Sequence, residues 1–156
     1  QGPLAVVDLG RKFVINRNGD IFKKAEAADE NRFPLINGLT FTDLNISDQS
    51  GGHMYSSVIA VLNLGREPGS VIPNRFLKTV NVDREIGLTL VAFEKPLVIR
   101  LGYRDYPAKY EVLTRLLTHF NANPNSETIN WIDLNDPRRV VLNLKGELTQ
   151  KKDKEA

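Results

Sequence analysis

Apolar and polar residues along this chain alternate with a period of two in some segments and near 3.6 in others. In Gly87–Phe93, Leu88, Leu90 and Ala92 alternate with Thr89, Val91 and Phe93. After the turn Glu94-Lys95-Pro96, Leu97, Ile99 and Leu101 continue that face against Val98 and Arg100. With Lys78–Asp83, these segments predict three strands, each apolar on one face. Two stretches carry the helical period instead. Gln49–Leu64 sets Tyr55, Val58, Ile59 and Leu62 on one stripe, with Asp48 or Ser50 as the cap. A second helix starts at Asp105, which can cap it, with Pro107 in its first turn and Tyr110, Leu113, Leu116, Leu117 and Phe120 on its apolar face.

The first third of the chain is more broken. Leu4–Val7 is a short apolar run. Lys12–Asn16 and Asp20–Lys23 flank Arg17-Asn18-Gly19, where Asn-Gly supplies the positive φ values of a tight hairpin turn. Lys24–Asn31 is charged and Ala-rich and reads as a solvated connection. Phe33–Gly38 reads as a rigid apolar loop, with Pro34 fixing its own φ and Gly38 permitting a reversal. Gly65 stands where a left-handed residue closes a helix, and Pro124 stops the second helix. The sum is an α+β domain, a mostly antiparallel sheet with about two helices packed on one face.

The segment Ile132–Lys145 closes this pattern. It reads as two strands joined at Asn135-Asp136-Pro137, followed only by the charged stretch Gly146–Ala156, read as a flexible tail. In Arg139–Lys145, Val140, Leu142 and Leu144 share a face, while Arg139, Asn143 and Lys145 share the other, with Val141 the exception. A last strand beside a tail that does not pair belongs at a sheet edge with free N–H and C=O groups. Such an edge either attracts aggregation or receives a partner's strand.

Composition narrows the chemistry. The chain has 156 residues, 41% hydrophobic and 26% charged, with a formal net charge of +2. It suits one globular domain and gives no basic stripe for nucleic acid. It has no cysteine, which excludes disulfides, thiolate metal sites and cysteine nucleophiles. No apolar run is long enough to span a bilayer. It begins at Gln1 rather than Met, which reads as a fragment whose targeting or anchoring segments lie upstream.

No phosphate loop, dinucleotide fingerprint, nucleophile elbow or zinc-protease helix occurs. His53 and His119 stand alone, without a second ligand type at helical or hairpin spacing. Asp133, Asn135 and Asp136 imitate a calcium loop but lack its glycine and distal glutamate, so they read as a turn. Asp83, Glu85 and Glu94 fall at strand ends, facing water. The expectation is a protein without catalysis or cofactor.

Taken in order, several blocks resemble the C-terminal β domain of the FtsQ/DivIB cell-division family. They are Leu4–Val7, Phe13–Asn16 with Asn18–Phe22, Arg32–Gly38, Leu88–Leu90, Ile99–Gly102 with its capped helix, and Ile132–Leu134. The family's pattern continues with Arg-Tyr where this chain has Asn135-Asp136. The resemblance implies that residues 1–7 are the end of a preceding POTRA domain or the strand connecting it, that 8–145 form the β domain, and that 146–156 trail from it. It implies a protein held in the bacterial inner membrane by one upstream helix, with this domain on the periplasmic side at the division septum. It also implies that FtsB, and with it FtsL and other divisome proteins, are the partners, a strand of FtsB pairing with the domain's last strand.

The candidate partner site is therefore Arg139–Lys145 and its turn. Val140, Val141, Leu142, Asn143 and Leu144 would supply the backbone strip, with Val141 and Asn143 outward. Arg138 and Arg139 would meet acidic partner residues, Asp136 would act at the turn, and Arg84 would add a further charge contact. The same cations also serve simply to blunt a naked edge. A second reading is a periplasmic ligand- or glycan-binding module with Trp131, Phe93 and Tyr103 as stacking groups. An enzyme would need a cleft gathering two carboxylates.

Overall fold

In the computed structural model of this chain, the described residues are 2–44, 52–122, 129–144 and 153–155. In chain order they form β1 (Pro3–Asp8), β2 (Lys12–Asn16), β3 (Ile21–Lys24), α1 (Ala27–Arg32), β4 (Leu35–Asn37), α2 (Gly52–Leu64), β5 (Leu77–Asp83), β6 (Gly87–Ala92), β7 (Leu97–Gly102), α3 (Tyr106–Ala122), β8 (Ile129–Asp133), β9 (Val141–Leu144) and β10 (Asp153–Glu155), with short 3-10 turns at Phe41–Leu44 and Asn74–Phe76. All ten strands join one sheet, ordered β10-β9-β8-β7-β6-β5-β4-β1-β2-β3. Three neighbouring pairs are parallel, β1 with β4, β4 with β5 and β7 with β8, and the rest are antiparallel.

The two parallel pairs that α2 and α3 bridge explain where the helices go. A parallel pair needs a crossover connection. Here α2 carries the chain from β4 to β5, and α3 carries it from β7 to β8. Both helices bury their apolar stripes in one core. Met54, Tyr55, Val58, Val61 and Leu62 of α2, and Tyr106, Tyr110 and Leu113 of α3, pack with Val80, Leu88, Leu90, Ile99, Leu101 and Ile132 from the sheet. Leu116, Leu117 and Phe120 of α3 are half-buried against the same core.

The period-two segments behave as predicted. Leu88, Leu90 and Ala92 of β6 are buried, as are Leu97, Ile99 and Leu101 of β7. The opposite face carries cross-strand rows, one of them Thr79, Val91, Val98, Trp131 and Asn143, fixed by the registers.

Several expectations need correction. Pro3–Asp8, expected to lie outside the β domain, is a strand of its sheet. β1 lies inside the sheet between β4 and β2, with Ala5, Val6 and Val7 fully buried. Lys24–Asn31 is not simply solvated, because it contributes most of α1. There the Glu26 N–H donates to Asp29 Oδ2 at 2.9 Å, Lys23 Nζ pairs with the same oxygen at 3.0 Å, and Lys12 Nζ pairs with Glu30 at 2.7 Å. Phe33–Gly38 holds β4, a strand hydrogen-bonded on both sides.

At the hairpin, only Gly19 takes a positive φ, and the Asn16 side chain accepts the Asn18 and Asp20 N–H groups. Asp105 sits at φ 57° rather than in the extended conformation of a cap. Gly65 is not left-handed. Its hydrogen makes room for Asn74, whose Oδ1 would lie 2.0 Å from an added Cβ. Asp48, Ser50 and Pro124 lie outside the described residues.

One buried cation ties the helical layer to the sheet. Lys109, 1% exposed, donates from Nζ to the carbonyls of Leu101 at 2.6 Å and Tyr103 at 3.1 Å. Those carbonyls flank Gly102 in the irregular passage from β7 to α3, where Arg104 and Asp105 also have positive φ. Burial lowers the Lys109 pKa below the ordinary lysine value.

Two predictions follow from this packing. Gly38 has φ 98°, and a Cβ there would meet the Val82 carbonyl oxygen at 2.1 Å. Gly38→Ala should lower stability by about 2 kcal/mol or more in denaturant unfolding. Gly10→Ala, at φ 94° with open space around it, should lower it by about 1 kcal/mol; equal losses would contradict the close approach. Lys109→Met should cost about 1–3 kcal/mol at neutral pH, because two buried carbonyls lose their donor. Between the lowered folded pKa and 10.5, only the unfolded chain holds the extra proton. Wild-type stability relative to Lys109→Met should therefore rise with pH through that window. A flat difference would contradict the burial of the charge.

Candidate functional site

The segment expected to hold the site is the β8–β9 hairpin. β8 and β9 pair antiparallel, with Trp131 opposite Asn143, Ile132 opposite Leu142 and Asp133 opposite Val141. Two aspartates shape the loop between them. Asp133 Oδ1 accepts the Asn135 N–H at 2.9 Å, and Asp136 Oδ1 accepts the Arg138 N–H at 2.9 Å and its Nε at 3.2 Å. The backbone bond from Arg138, followed by its guanidinium, holds the Asp136 carboxyl below the usual carboxylate range. These carboxylates organise a turn, consistent with the reading of the sequence.

The proposed site residues do not all present themselves in the same way. Val140, Leu142 and Leu144 are core residues, each no more than 4% exposed, so only their backbone is available to a partner. Val141 is half-buried on the other face. Asn143 is also buried, and its side chain accepts from Asn130 Nδ2 at 3.4 Å. Arg138 is exposed but engaged with Asp136, and the Arg139 N–H donates to the Asp136 carbonyl at 3.0 Å. Arg84 lies in the turn between β5 and β6, where it pairs at 3.5 Å with the buried carboxylate of Asp43. Before any partner arrives, Arg84 thus offsets a buried charge.

The edge itself differs from expectation. β9 was expected to close the sheet with its outer backbone row free. Instead β10 pairs with it antiparallel, Asp153 opposite Asn143, Lys154 opposite Leu142 and Glu155 opposite Val141. The stretch read as a tail thus supplies the terminal strand, and the chain covers its own row over three residue pairs.

A cleft of about 670 Å³ adjoins the hairpin. His53 from α2, Ile86 from the β5–β6 turn, Tyr103, Arg104 and Tyr106 from the passage into α3, and Asn135 from the β8–β9 turn line it. The cleft therefore joins the turn beside Arg84 to the turn beside Asp136. Ile86 is 66% exposed, whereas the Tyr106 hydroxyl is buried with no partner among the described residues. The Tyr103 hydroxyl donates to the Asp83 carbonyl at 2.6 Å, and its ring meets His53 edge-on at 5.4 Å. Sequence reading missed this cleft, since its residues come from four separate segments. An apolar residue in the turn Asp83-Arg84-Glu85-Ile86-Gly87 was the one available signal.

The remaining candidates stand apart. Trp131 is half-buried on the sheet face opposite α2 and α3, with the Arg100 guanidinium 4.7 Å from its ring centroid. Phe93 packs against Phe76 at 6.1 Å. Of the three aromatics in the stacking reading, only Tyr103 lines the cleft. Asp83 Oδ1 accepts the Glu85 and Ile86 N–H groups at 2.8 and 2.9 Å, so it too holds a turn. His119 meets only the Phe120 ring edge-on at 5.4 Å among the described aromatic contacts.

Residues 5–135 match the family model described as cell division protein FtsQ/DivIB, C-terminal. Related proteins carry the same name. Cell division protein FtsQ of Syntrophotalea carbinolica is 25% identical over 152 residues, 96% of this chain and 52% of that protein. FtsQ of Geotalea daltonii is 22% identical over 140 residues, 90% of this chain and 50% of its own length. FtsQ of Anaeromyxobacter sp. strain K is 28% identical over 132 residues, 84% of this chain and 44% of its own. The chain spans about half the length of these relatives. With the match covering most of its residues, the chain belongs to the FtsQ/DivIB family of cell-division proteins.

Proposed function

We propose that this chain is a non-catalytic, extracytoplasmic scaffold domain of the bacterial divisome that binds FtsB, and with it FtsL, by strand exchange at β9. In this reading an FtsB strand takes the outer row of β9, and β10 gives way. The protein is held in the inner membrane by a single upstream helix, with this domain on the periplasmic side at the septum.

The observation that carries the reading is the weakness of the cover. Among the described residues, β10 pairs with β9 over three residues at the end of the sheet. Each backbone hydrogen bond contributes on the order of 0.5–1.5 kcal/mol net, while ordering each residue costs a comparable amount. A cover that short is near balance. A longer partner strand gains the same bonds and adds contacts of its own. β8, β9 and the core beneath them are built without β10, since Val140, Leu142 and Leu144 are anchored from the helical side. The cleft beside Asn135 then offers side-chain recognition next to the backbone strip, with Arg104 as a charged wall and Ile86 as an exposed apolar one. Arg138 and Arg139 at the hairpin tip steer rather than anchor, as rim charges do.

Two variants of the full chain test the exchange against the extracytoplasmic segment of FtsB, by titration calorimetry. Val141→Pro removes a backbone donor from β9 and fixes φ. It should weaken binding by about tenfold or more, roughly 1.4 kcal/mol, while thermal melting shows the domain still folded. Unchanged affinity in that folded variant would rule out docking at β9. Ending the chain at Lys145 removes the competitor strand. Affinity should hold or rise by up to about tenfold, the net stability of a three-pair cover. A loss of binding on truncation would mean that β10 is part of the partner surface rather than its substitute.

A further inference from the structure

The far end of the sheet from the β8–β9 turn carries a second feature that the division reading does not use. β1, β4 and β5 run parallel, so their amino ends lie together, and β2, antiparallel to β1, finishes at the same end. Each segment entering or leaving there delivers one arginine. Arg17 follows β2, Arg32 ends α1 directly before β4, Arg66 follows α2, and Arg75 lies in the 3-10 turn before β5. All four line one recess of about 240 Å³, floored by Leu4, Phe33 and Pro34. Arg17 and Arg66 also border an adjoining recess of about 560 Å³, which extends the trough and is lined by Asn18, Asn63 and the carboxylate of Glu67 as well.

No carboxylate lines the first recess, and none of the four arginines forms an ion pair among the described residues. The arginines are not needed to finish α2 either. Asn74 already does so, its Nδ2 donating to the Leu62 carbonyl at 2.8 Å and its N–H to that of Gly65 at 3.2 Å. Arg32 and Arg75 are held over aromatic rings, 5.4 Å from the Phe33 centroid and 4.7 Å from the Phe76 centroid, which orients their guanidinium planes.

We propose that this arginine-lined trough binds an acidic segment of a partner polypeptide, its carboxylates pairing with Arg17, Arg32, Arg66 and Arg75. The observation behind it is four guanidiniums, none in an ion pair among the described residues, brought from four chain segments around one apolar-floored recess, with Arg66 also donating to Asn63 Oδ1 at 3.2 Å. Guanidinium forks match carboxylates two bonds at a time. The charges are spread along an elongated trough, which suits spaced side chains on a peptide better than one compact anion. The trough contains no helix N-terminus, lysine, serine or threonine of the kind that cradles phosphate. Its recessed shape disfavours a bilayer surface, which meets projecting cations. The proposal does not depend on strand exchange at β9, because the two sites occupy opposite ends of the strands.

The test uses the full chain and a fluorescent peptide of repeating Glu-Gly-Glu-Ala, with its Gln counterpart as control. Saturable binding of the Glu peptide is expected, weakened about tenfold or more by the double substitution Arg17→Glu and Arg75→Glu and left intact by Val141→Pro. If the charge-reversed protein melts early, Arg17→Gln and Arg75→Gln singly replace it, each expected to weaken binding severalfold. Lack of saturable binding, equal binding of the Gln peptide, or indifference to the arginine substitutions would overturn the proposal. So would displacement of the peptide by equimolar inorganic phosphate, which would indicate a free-anion site. Binding to phosphatidylglycerol vesicles in preference to the peptide would overturn it in favour of a membrane surface.

Discussion

Parallel neighbours cannot be joined by a tight turn, and this constraint organises the molecule. β4 with β5 and β7 with β8 each require a crossover, and α2 and α3 supply them on the same face. The core forms where those helices meet the sheet, from Ala5, Val7, Ile15 and Ile36 across to Leu142 and Leu144. Strand direction then decides what gathers at each end. The amino ends of β1, β4 and β5 collect arginines, while the carboxyl ends of β5 and β8 collect the Asp83 and Asp136 turns and the cleft between them. Both candidate surfaces follow from topology, since no sequence-local motif places their residues together.

The β9 edge shows how a small difference in backbone pairing changes a functional argument. A free row would bind any strand, including a second copy of the same protein, and would be an aggregation hazard. A short intramolecular strand blunts that hazard while leaving the underlying pair nearly unchanged. In the proposed exchange, the strip is protected until a longer strand competes for it. Buried anchors on β9 make this arrangement mechanically plain: its register is fixed from the core side by Val140, Leu142 and Leu144, so the outer row keeps its geometry whichever strand lies against it.

Elements whose signal is local were legible in the residues. The alternation of Leu88, Leu90 and Ala92, the stripe on α2 and the turn at Gly19 all emerged from periodicity and turn chemistry. What escaped depends on distant contacts. β1 offered no alternation because Ala5, Val6 and Val7 are buried on both faces of an interior strand, so it looked like a connector. β4 has three residues between Pro34 and Gly38, too short for any period to show. α1 has six residues, held by the capping box of Glu26 and Asp29 and by ion pairs from Lys12 and Lys23, which lie outside it. β10 is Asp-Lys-Glu, a composition that argues for solvent until a partner strand is known. The candidate residues on β9 were proposed from alternation, and Arg84 was assigned to a partner because its buried mate, Asp43, lies forty-one positions away.

Amide hydrogen exchange of the full chain, with and without the extracytoplasmic segment of FtsB, tests the exchange of strands most directly. In the free protein, outward amides of Val141–Asn143 and those of Asp153–Glu155 should exchange faster than the amides of β8. Adding the partner should protect the β9 row and release the β10 amides to the solvent rate. Protection of β10 that persists with partner bound, or a β9 row that the partner leaves unchanged, would contradict the account.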